Sequence, residues 1–472
     1  MLSQNMTDKI IDYIMSHGGD FAEVFAEHTR RNQLAMTGGN MSEALAGIES
    51  GVGIRIFSGD QCAYFYTEDE REENLFRLLK ENWKAGEPVR PDWEKLSADQ
   101  KIYDSTTEYF QSASVKDKMK LMEKCDKAGL AYSSQISQMY LKYLDMDQHV
   151  QIANSEGCYM EDHRMKTRLS IEAVVRDDQD VQRSYYGPGA MGGYEFLKQI
   201  NVEECARKVA QNAIRCLGAR ACPTGRMPVI IANGFGGLFF HEACGHSLEA
   251  TSVSDNGSEF SGKLGTKVAS EKVTLIDDGS IRDGWGSGYI DDEGELTRKN
   301  VLIKDGILKN YLVDRLNGKK LGLSANGSSR RESYRFAPVA RMSNTYIAPG
   351  SDDVEKMIAS VDRGIYVKSI NAGSVNSITG EFNFNTGETF LIEHGEITVP
   401  VHSATLIGTG GDILQKVEQV GKDYELGQGF CYAGSGAIYI GAGQPTVKVS
   451  EMTVGGDEIC RLQRAENNRK AV

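Results

Sequence analysis

The sequence predicts an α+β fold, in which an N-terminal mixed α/β region is followed by a large antiparallel β-rich C-terminal domain. Two observations predict this order. Apolar residues at helical spacing occur mainly in the first half of the chain, between runs that resemble strands. In the second half, short apolar runs alternate with closely spaced turn signals, which is typical of antiparallel sheets.

Bulk composition limits the possible classes of protein. The 472 residues suffice for two or three domains, and no apolar run approaches the ~20 residues that cross a bilayer. The net charge of −13 argues against direct nucleic-acid binding. The first residues lack the basic and apolar parts of a secretion signal, and nine scattered cysteines do not indicate a disulfide framework. We therefore expect a cytoplasmic protein that does not bind membranes.

Residues 1–88 are predicted to form an N-terminal α/β domain. Thr7 can cap a first helix with apolar residues at helical spacing. The strand-like runs occupy residues 22–28, 33–36, 52–57 and 61–66. The capping-box pattern TEDE at residues 67–70 predicts a second helix, and the prolines of residues 85–92 indicate a linker.

Residues 89–221 are predicted to form a central α/β region that packs with the N-terminal domain. Helices are expected at residues 114–127 and from Val202 to Leu217. The strand-like runs occupy residues 136–144, 150–154, 167–176 and 181–186, which suggests an antiparallel meander. The glycine-rich stretch 187–193 lacks a phosphate-loop lysine and does not indicate nucleotide binding. Residues 222–472 form the predicted β-rich domain.

The stretch HEACGH at residues 241–246 follows an apolar run and contains two imidazoles and a carboxylate. Imidazole is the commonest protein ligand of zinc, and Glu242 lies where a base for an activated water is needed. Histidines five positions apart diverge by about 140° on a regular α-helix. They can share an ion only if a π-bulge widens the helix or if it ends between them, a break that Gly245 would permit. The sequence favours a metal-binding helix over a buried helix that merely carries two histidines.

A catalytic zinc usually has three protein ligands and one open position, so one further ligand is expected. Cys431 is favoured because it lies on a glycine-rich segment that could bring a thiolate close to an ion. Cys244 lies between the histidines and would compete for the same helical turn. The remaining candidates are Glu249, His394 and His402.

With these flanks, the HExxxH pattern resembles the TldD/PmbA family of modulator-of-gyrase metallopeptidases, and specifically its zinc-carrying TldD side. The resemblance extends through most of the chain. It includes IANSEG at 152–157, GGYEF at 192–196, GRMPV at 225–229, NGFGGLFFHEACGH at 233–246, IDDEG at 290–294, RESYR at 331–335, RMSNT at 341–345 and GAGQPT at 441–446. PmbA-like members lack HExxxH, so the chain resembles the catalytic partner.

The resemblance implies a Zn²⁺ site with His241, His246 and Cys431 as metal ligands and Glu242 as catalytic base. Residues 222–472 would then be the metallopeptidase domain. The implied activity is hydrolysis of short or unfolded peptides, in a dimer that is either a homodimer or a pair with a PmbA/TldE-like subunit. An extended peptide could add to an exposed strand edge of the β-rich domain, a mode that fixes the backbone and would suit loose sequence specificity. The sequence FCYA around Cys431 departs from the family, in which a polar residue is expected soon after the cysteine.

Three alternatives remain open at this stage. The chain could be a catalytically silent peptide-binding or regulatory partner with a structural zinc, or a chaperone-like adaptor. It could also be another zinc hydrolase, although the paired cysteines of zinc deaminases are absent. Arg331, Arg335 and Arg341 could hold a peptide carboxylate, but ion pairs with Glu332 and its neighbours are the favoured interpretation.

Overall fold

A computed structural model describes residues 1–59, 61–83, 101–104, 113–177 and 180–456, with the backbone alone described for residues 101–104. The predicted linker at residues 85–92 lies outside the described residues. The α+β fold class is confirmed, with strands outnumbering helices and large antiparallel sheets in both halves.

Ten α-helices lie within the described part of the chain. They are α1 Gln4–Ser16, α2 Glu72–Asn82, α3 Val115–Leu130, α4 Glu195–Lys198, α5 Val202–Arg215, α6 Leu238–Phe240, α7 Ala250–Val253, α8 Arg315–Leu321, α9 Val354–Ala359 and α10 Gly410–Gln415. None of these helices has the length and hydrophobicity that crossing a membrane requires.

Two predicted helix starts are wrong. Helix α1 begins at Gln4, where the Ser3 hydroxyl accepts a hydrogen bond from the Met6 N–H, so Thr7 lies inside the helix. Helix α2 begins at Glu72 without a side-chain cap, and the Thr67 hydroxyl instead accepts from the Asp69 N–H in the preceding turn. A side chain that bonds within such a turn is not free to cap a helix.

The N-terminal half is built on one eight-stranded sheet. Its strands are β1 Phe21–Thr37, β2 Asn40–Ser58, β3 Gln61–Thr67, β4 Lys101–Asp104, β5 Ile136–Asn154, β6 Tyr159–Arg176, β7 Val181–Tyr186 and β8 Gly189–Met191. The order is β3-β2-β1-β5-β6-β4, with β7 and β8 also paired to β6, and only the β4–β6 pair is parallel. The runs predicted as separate strands at 22–28 and 33–36, and at 136–144 and 150–154, belong to single strands.

Two pairs of helices cover one face of this sheet. Helices α1 and α2 pack at one end through side chains such as Ile10 and Leu75, and α3 and α5 pack at the other through Met122 and Val209. The opposite face buries Phe25 of β1 against Tyr334 of the C-terminal half. Side chains alternate between the two faces of a strand. The helices of the N-terminal half therefore cover one face of β1 and β5, and the C-terminal half covers the other.

The C-terminal half contains two further sheets and a short hairpin. The nine-stranded sheet consists of β9 Gly225–Ile231, β16 Arg363–Val367, β17 Ile370–Val375, β18 Glu381–Thr386, β19 Thr389–Glu393, β20 Glu396–Val401, β21 Thr405–Thr409, β22 Val417–Val420 and β25 Val447–Gly455. The six-stranded sheet has the order β12-β11-β10-β15-β24-β23. Its strands are β10 Leu275–Asp278, β11 Lys299–Lys304, β12 Ile307–Leu308, β15 Asn344–Ile347, β23 Glu425–Ala433 and β24 Gly436–Gln444. The hairpin pairs β13 Ser329–Arg330 with β14 Val339–Ala340.

Buried ion pairs join the two halves. The carboxylate of Glu23 lies 2.6 Å from both Arg55 and Arg331, and Arg55 also lies 2.5 Å from Glu293. Arg331 therefore forms an ion pair, as predicted, but with a carboxylate of the N-terminal sheet and not with Glu332. Charges that are taken out of water in this way need close partners, which fixes how the halves meet.

Candidate metal centre

The histidine segment is held between the two C-terminal sheets by aromatic packing. After β9 the chain forms a 3₁₀ turn, Gly234–Gly237, and then α6. Phe239 of α6 packs against Phe382 and Phe384, with ring centroids 5.0 Å away in both cases. A fully buried Phe of this kind contributes roughly 1.5–3 kcal/mol, so this contact fixes the segment at its N-terminal end.

A single π-helical turn, His241–Gly245, brings the two imidazoles together. The ring centroids of His241 and His246 are 5.2 Å apart and the rings are nearly perpendicular. The five-residue spacing predicted either this wide turn or a break, and the structure has the wide turn. The role given to Gly245 is wrong, because its φ of −58° is ordinary and right-handed. A Cβ at this position would overlap the sulfur of the buried Met342, so any larger residue would require that side chain to move.

The third donor comes from strand β23. Cys431 pairs with Ile438 on the adjacent β24, and its buried Sγ lies 3.2 Å from Nε2 of His246. One ligand atom from each of His241, Glu242, His246 and Cys431 lies within 4.8 Å of the others. The structure thus brings together all four residues that the sequence analysis selected.

The donor set fits a metal ion. His241 is fully buried, and neither of its ring nitrogens has a hydrogen-bond partner among the described residues. Burial, with the nearby charges of His246 and Arg341, holds the pKa of His241 well below its usual range, so the ring is neutral and its lone pair is available. Two nitrogens and one sulfur are donors that suit zinc.

The other two groups have shifted pKa values for different reasons. Burial raises the pKa of the Glu242 carboxyl above its ordinary value. Burial alone would lower the pKa of His246, but Glu249 and Cys431 outweigh it and raise that pKa well above the usual range. These neighbours therefore favour a positive charge on the His246 ring, beside the sulfur of Cys431. A metal cation bound there would be favoured by the same groups.

Glu249 and Arg341 contact the candidate ligands from outside the group of four ligand atoms. Oε2 of Glu249 lies 3.2 Å from Nδ1 of His246, on the other side of the ring from Cys431. Arg341 donates to the Cys431 carbonyl at 3.0 Å and to the Ser435 hydroxyl at 2.8 Å. Its Nε lies 3.9 Å from Oε1 of Glu249. Glu249, a candidate ligand in the sequence, lies outside the group of four and instead contacts the ring of His246, and Arg341 was not expected at the site.

The other candidate ligands lie outside this group. The buried Cys244 donates its thiol hydrogen to the Phe240 carbonyl at 3.0 Å, and burial raises its pKa. His394 is 90% exposed and lies 2.9 Å from Asp362, and His402 lies 3.5 Å from Gln182.

A second group of potential ligands was missed. Asp147, His149 and His163 meet on the N-terminal sheet, where the two histidines are directly opposed on β5 and β6. Only the strand register shows this, since 14 positions separate the histidines in the chain.

Comparison with known protein families covers most of the chain. Family models of the PmbA/TldA metallopeptidases match in three consecutive parts: domain 1 at residues 22–85, the central domain at 108–217 and the C-terminal domain at 224–456. The chain belongs to this metallopeptidase family. The resemblance seen in the sequence to the TldD/PmbA family is therefore confirmed.

Several relatives are named as TldD-like metalloproteases. The chain is 33% identical over 456 residues to the "Metalloprotease TldD homolog" of Haemophilus influenzae, with 94% of each chain covered. It is 31% identical over 439 residues to a "Metalloprotease" of Methanothermobacter thermautotrophicus, covering 93% of this chain and 96% of that one. A "Zinc metalloprotease TldD homolog" of Saccharolobus solfataricus is 31% identical over 319 residues, which are 67% and 71% of the two chains. These names support a metallopeptidase.

Solved structures share the fold. A putative modulator of DNA gyrase from Thermotoga maritima superposes with a TM-score of 0.77 at 23% identity, covering 96% of this chain and all of that one. TldE from Thermococcus kodakarensis superposes with a TM-score of 0.74 at 20% identity, covering 95% and 100% of the two chains. At these identities the likeness concerns the fold.

Proposed function

We propose that this family member is a zinc-dependent peptidase that hydrolyses short or unfolded peptides with loose sequence specificity. His241, His246 and Cys431 are the proposed metal ligands and Glu242 is the proposed general base. The observation that supports this most directly is the group of four ligand atoms within 4.8 Å, in which the buried His241 has no other partner.

A zinc ion held by these residues would supply Lewis acidity, which polarises a carbonyl and acidifies water. Glu242 has a carboxylate oxygen 3.6 Å from Nε2 of His246, on the side of the ring that faces Cys431. From there it can accept a proton from the attacking water and return it to the nitrogen of the leaving amine. Water is thereby added across the amide bond, giving one carboxylate and one amine.

Loose specificity is supported by the position of Cys431. It lies on β23, which is an edge strand of the six-stranded sheet within the described residues. A peptide bound along such an edge is recognised mainly through its main chain. The carbonyls of Gln428, Gly429 and Cys431 already accept hydrogen bonds from side chains, which leaves the end of the strand, beyond Cys431, for a peptide.

The proposal includes a dimer, formed either by two copies or with a PmbA/TldE-like subunit. The fold that the chain shares with TldE supports a partner of related structure. The cytoplasmic location expected from the composition stays a prediction.

Glu242→Gln tests the proposal. Because a general base contributes about 10²–10⁴-fold, we expect cleavage of unfolded peptides to fall by that factor. The bound metal, measured by elemental analysis, should stay at one ion per chain. Cys431→Ser should lose metal and activity together. His149→Ala, which changes the other ligand group, should retain both and serves as the matched control.

The runner-up function is a silent binding partner in which the metal is structural. In that case Glu242→Gln would leave peptide binding and all measurable function intact. Wild-type protein that carries the metal but does not cleave, even with a PmbA/TldE-like chain added, would also contradict the peptidase proposal.

A further inference from the structure

A small cavity of about 50 Å³ lies where the N-terminal sheet meets the C-terminal half. One wall is formed by β5 and β6, and the other by the segments around residues 286–292 and 327–332 and the start of β24. Four basic side chains line it, namely Arg164, Lys166, Arg330 and Arg331. The cavity is distinct from the four ligand atoms of the candidate metal centre, none of which belongs to its lining.

Two of the four cations are neutralised by carboxylates. Arg164 lies 2.8 Å from Asp162 and 2.6 Å from Asp292, and Arg331 lies 2.6 Å from Glu23. The other two, Lys166 and Arg330, have no carboxylate of a described residue within 4.0 Å.

Lys166 and Arg330 have hydrogen-bond donors to spare. The Lys166 side chain is 3% exposed, and its ammonium donates to the carbonyls of Trp285 at 2.6 Å and Ser287 at 3.3 Å. The guanidinium of Arg330 donates to the Met342 carbonyl at 2.6 Å, which is its one hydrogen bond to the described chain. A guanidinium has five N–H donors, so most of those of Arg330 have no protein acceptor.

The remaining carboxyl groups of the lining are occupied elsewhere. Asp291 accepts the N–H groups of Glu293, Glu295 and Ser329, and burial raises its pKa well above the usual range. Glu332 accepts the Ala437 N–H at 2.7 Å. Asp277 and Asp292 attract Arg330, and Asp162 and Asp292 attract Lys166, but none of these carboxylates lies within 4.0 Å of either cation.

A buried charge without a close partner is costly, which favours a counter-ion beside it. Burial lowers the pKa of Lys166 well below its usual range and that of Arg330 to about 10, and an anion beside these two side chains would favour the charged form of both. A water needs roughly 10–15 Å³ of a cavity measured in this way, so the space holds about three to five water-sized groups, which is enough for one small ion with waters and too little for a bulky organic anion.

We propose that this cavity binds a small monovalent inorganic anion of the size of chloride, between the ammonium of Lys166 and the guanidinium of Arg330. The anion accepts the spare donors of both and ties β6 to the hairpin β13–β14. It also lies close behind the metal centre, because Arg330 bonds to Met342, whose sulfur packs on Gly245. Binding does not depend on the proposed peptidase activity.

Thermal unfolding of the full chain in chloride and in gluconate, at constant ionic strength, tests this. Gluconate is too large for the cavity. A ligand that binds only the folded protein raises Tm, so we expect a saturable rise of about 1–3 °C with chloride. Arg330→Met and Lys166→Met should each abolish it. Arg282→Met removes a charge that is 94% exposed and should leave the chloride response unchanged.

Equal Tm values in the two salts for the wild-type chain would overturn the proposal, as would an unchanged chloride response in both Met variants. If neither variant folds, anomalous diffraction from bromide-soaked wild-type crystals decides. A bromide peak between Lys166 and Arg330 supports the site, and a cavity filled with water alone contradicts it.

Discussion

Nδ1 of His246 faces the carboxylate of Glu249 at 3.2 Å, while Nε2 of the same ring faces the sulfur of Cys431 at 3.2 Å. The two ring nitrogens therefore have different partners, a carboxylate at Nδ1 and a sulfur at Nε2. A carboxylate that accepts the Nδ1 proton fixes the tautomer in which Nε2 presents its lone pair to a metal ion. Arg341 supports both sides of this arrangement, through Glu249 and through the Cys431 carbonyl.

Replacing Glu249 should weaken metal binding without removing a ligand. Loss of such an orienting carboxylate typically costs about 10–100-fold in affinity, so we expect that decrease for Glu249→Ala. Competition with a chelator of known zinc affinity measures it. Glu271→Ala, at an exposed position, is the control, and equal affinities for the two variants would show that Glu249 does not orient His246.

A side chain at Gly245 should disturb the π-helical turn. The Cβ of Gly245→Ala would overlap the sulfur of Met342, and overpacking of a buried site costs about 1–3 kcal/mol. We expect a lower urea midpoint and weaker metal binding. Met342→Ala in the same chain should recover part of the loss. Gly434→Ala is the control, since its Cβ would have no neighbour within 4 Å. A Gly245→Ala variant that matches this control would refute the packing argument.

The local parts of the site could be predicted from the sequence, and the contacts that depend on topology could not. Five-residue spacing predicts that His241 and His246 need a wide turn, because this follows from helix geometry alone. The approach of Cys431 depends on how β23 is paired, so chemistry could only rank it above other donors. Glu249 and Arg341 carry no sequence signal of their roles.

Strand β5 shows why element boundaries were wrong. Four polar residues between positions 145 and 149 interrupt the apolar pattern, so the sequence predicted two strands. In the fold Asp145 is buried, paired with Lys118 and hydrogen-bonded to the Tyr143 hydroxyl. A long-range ion pair thus makes a polar stretch compatible with a continuous strand. The division into domains at residues 88 and 221 stays a prediction.

The buried ion pairs between the two halves should contribute to stability. Arg331→Met leaves Glu23 with Arg55 alone, and breaking a buried pair typically costs about 3–5 kcal/mol. We expect a marked fall in the urea midpoint. Arg335→Met, which breaks the exposed pairs with Glu49 and Glu68, should have little effect because such pairs are screened by water. Similar shifts for the two variants would contradict this ranking.

Asp292 should make part of the stability depend on pH. Burial would raise its pKa, but Arg164 and Arg331 outweigh that effect and hold it below the ordinary value. Since the folded pKa lies below the unfolded value of about 3.9, this contribution is complete above that pH and is lost as the pH falls through the folded pKa.

The substitution Asp292→Asn tests this. It should lower the free energy of unfolding by about 1.5–3 kcal/mol at pH 7. The difference from wild type, measured by urea unfolding from pH 7 to pH 3, should shrink at the acid end. For the exposed Asp255→Asn control we expect a curve that follows wild type throughout, and a constant deficit for Asp292→Asn would show that its charge is not involved.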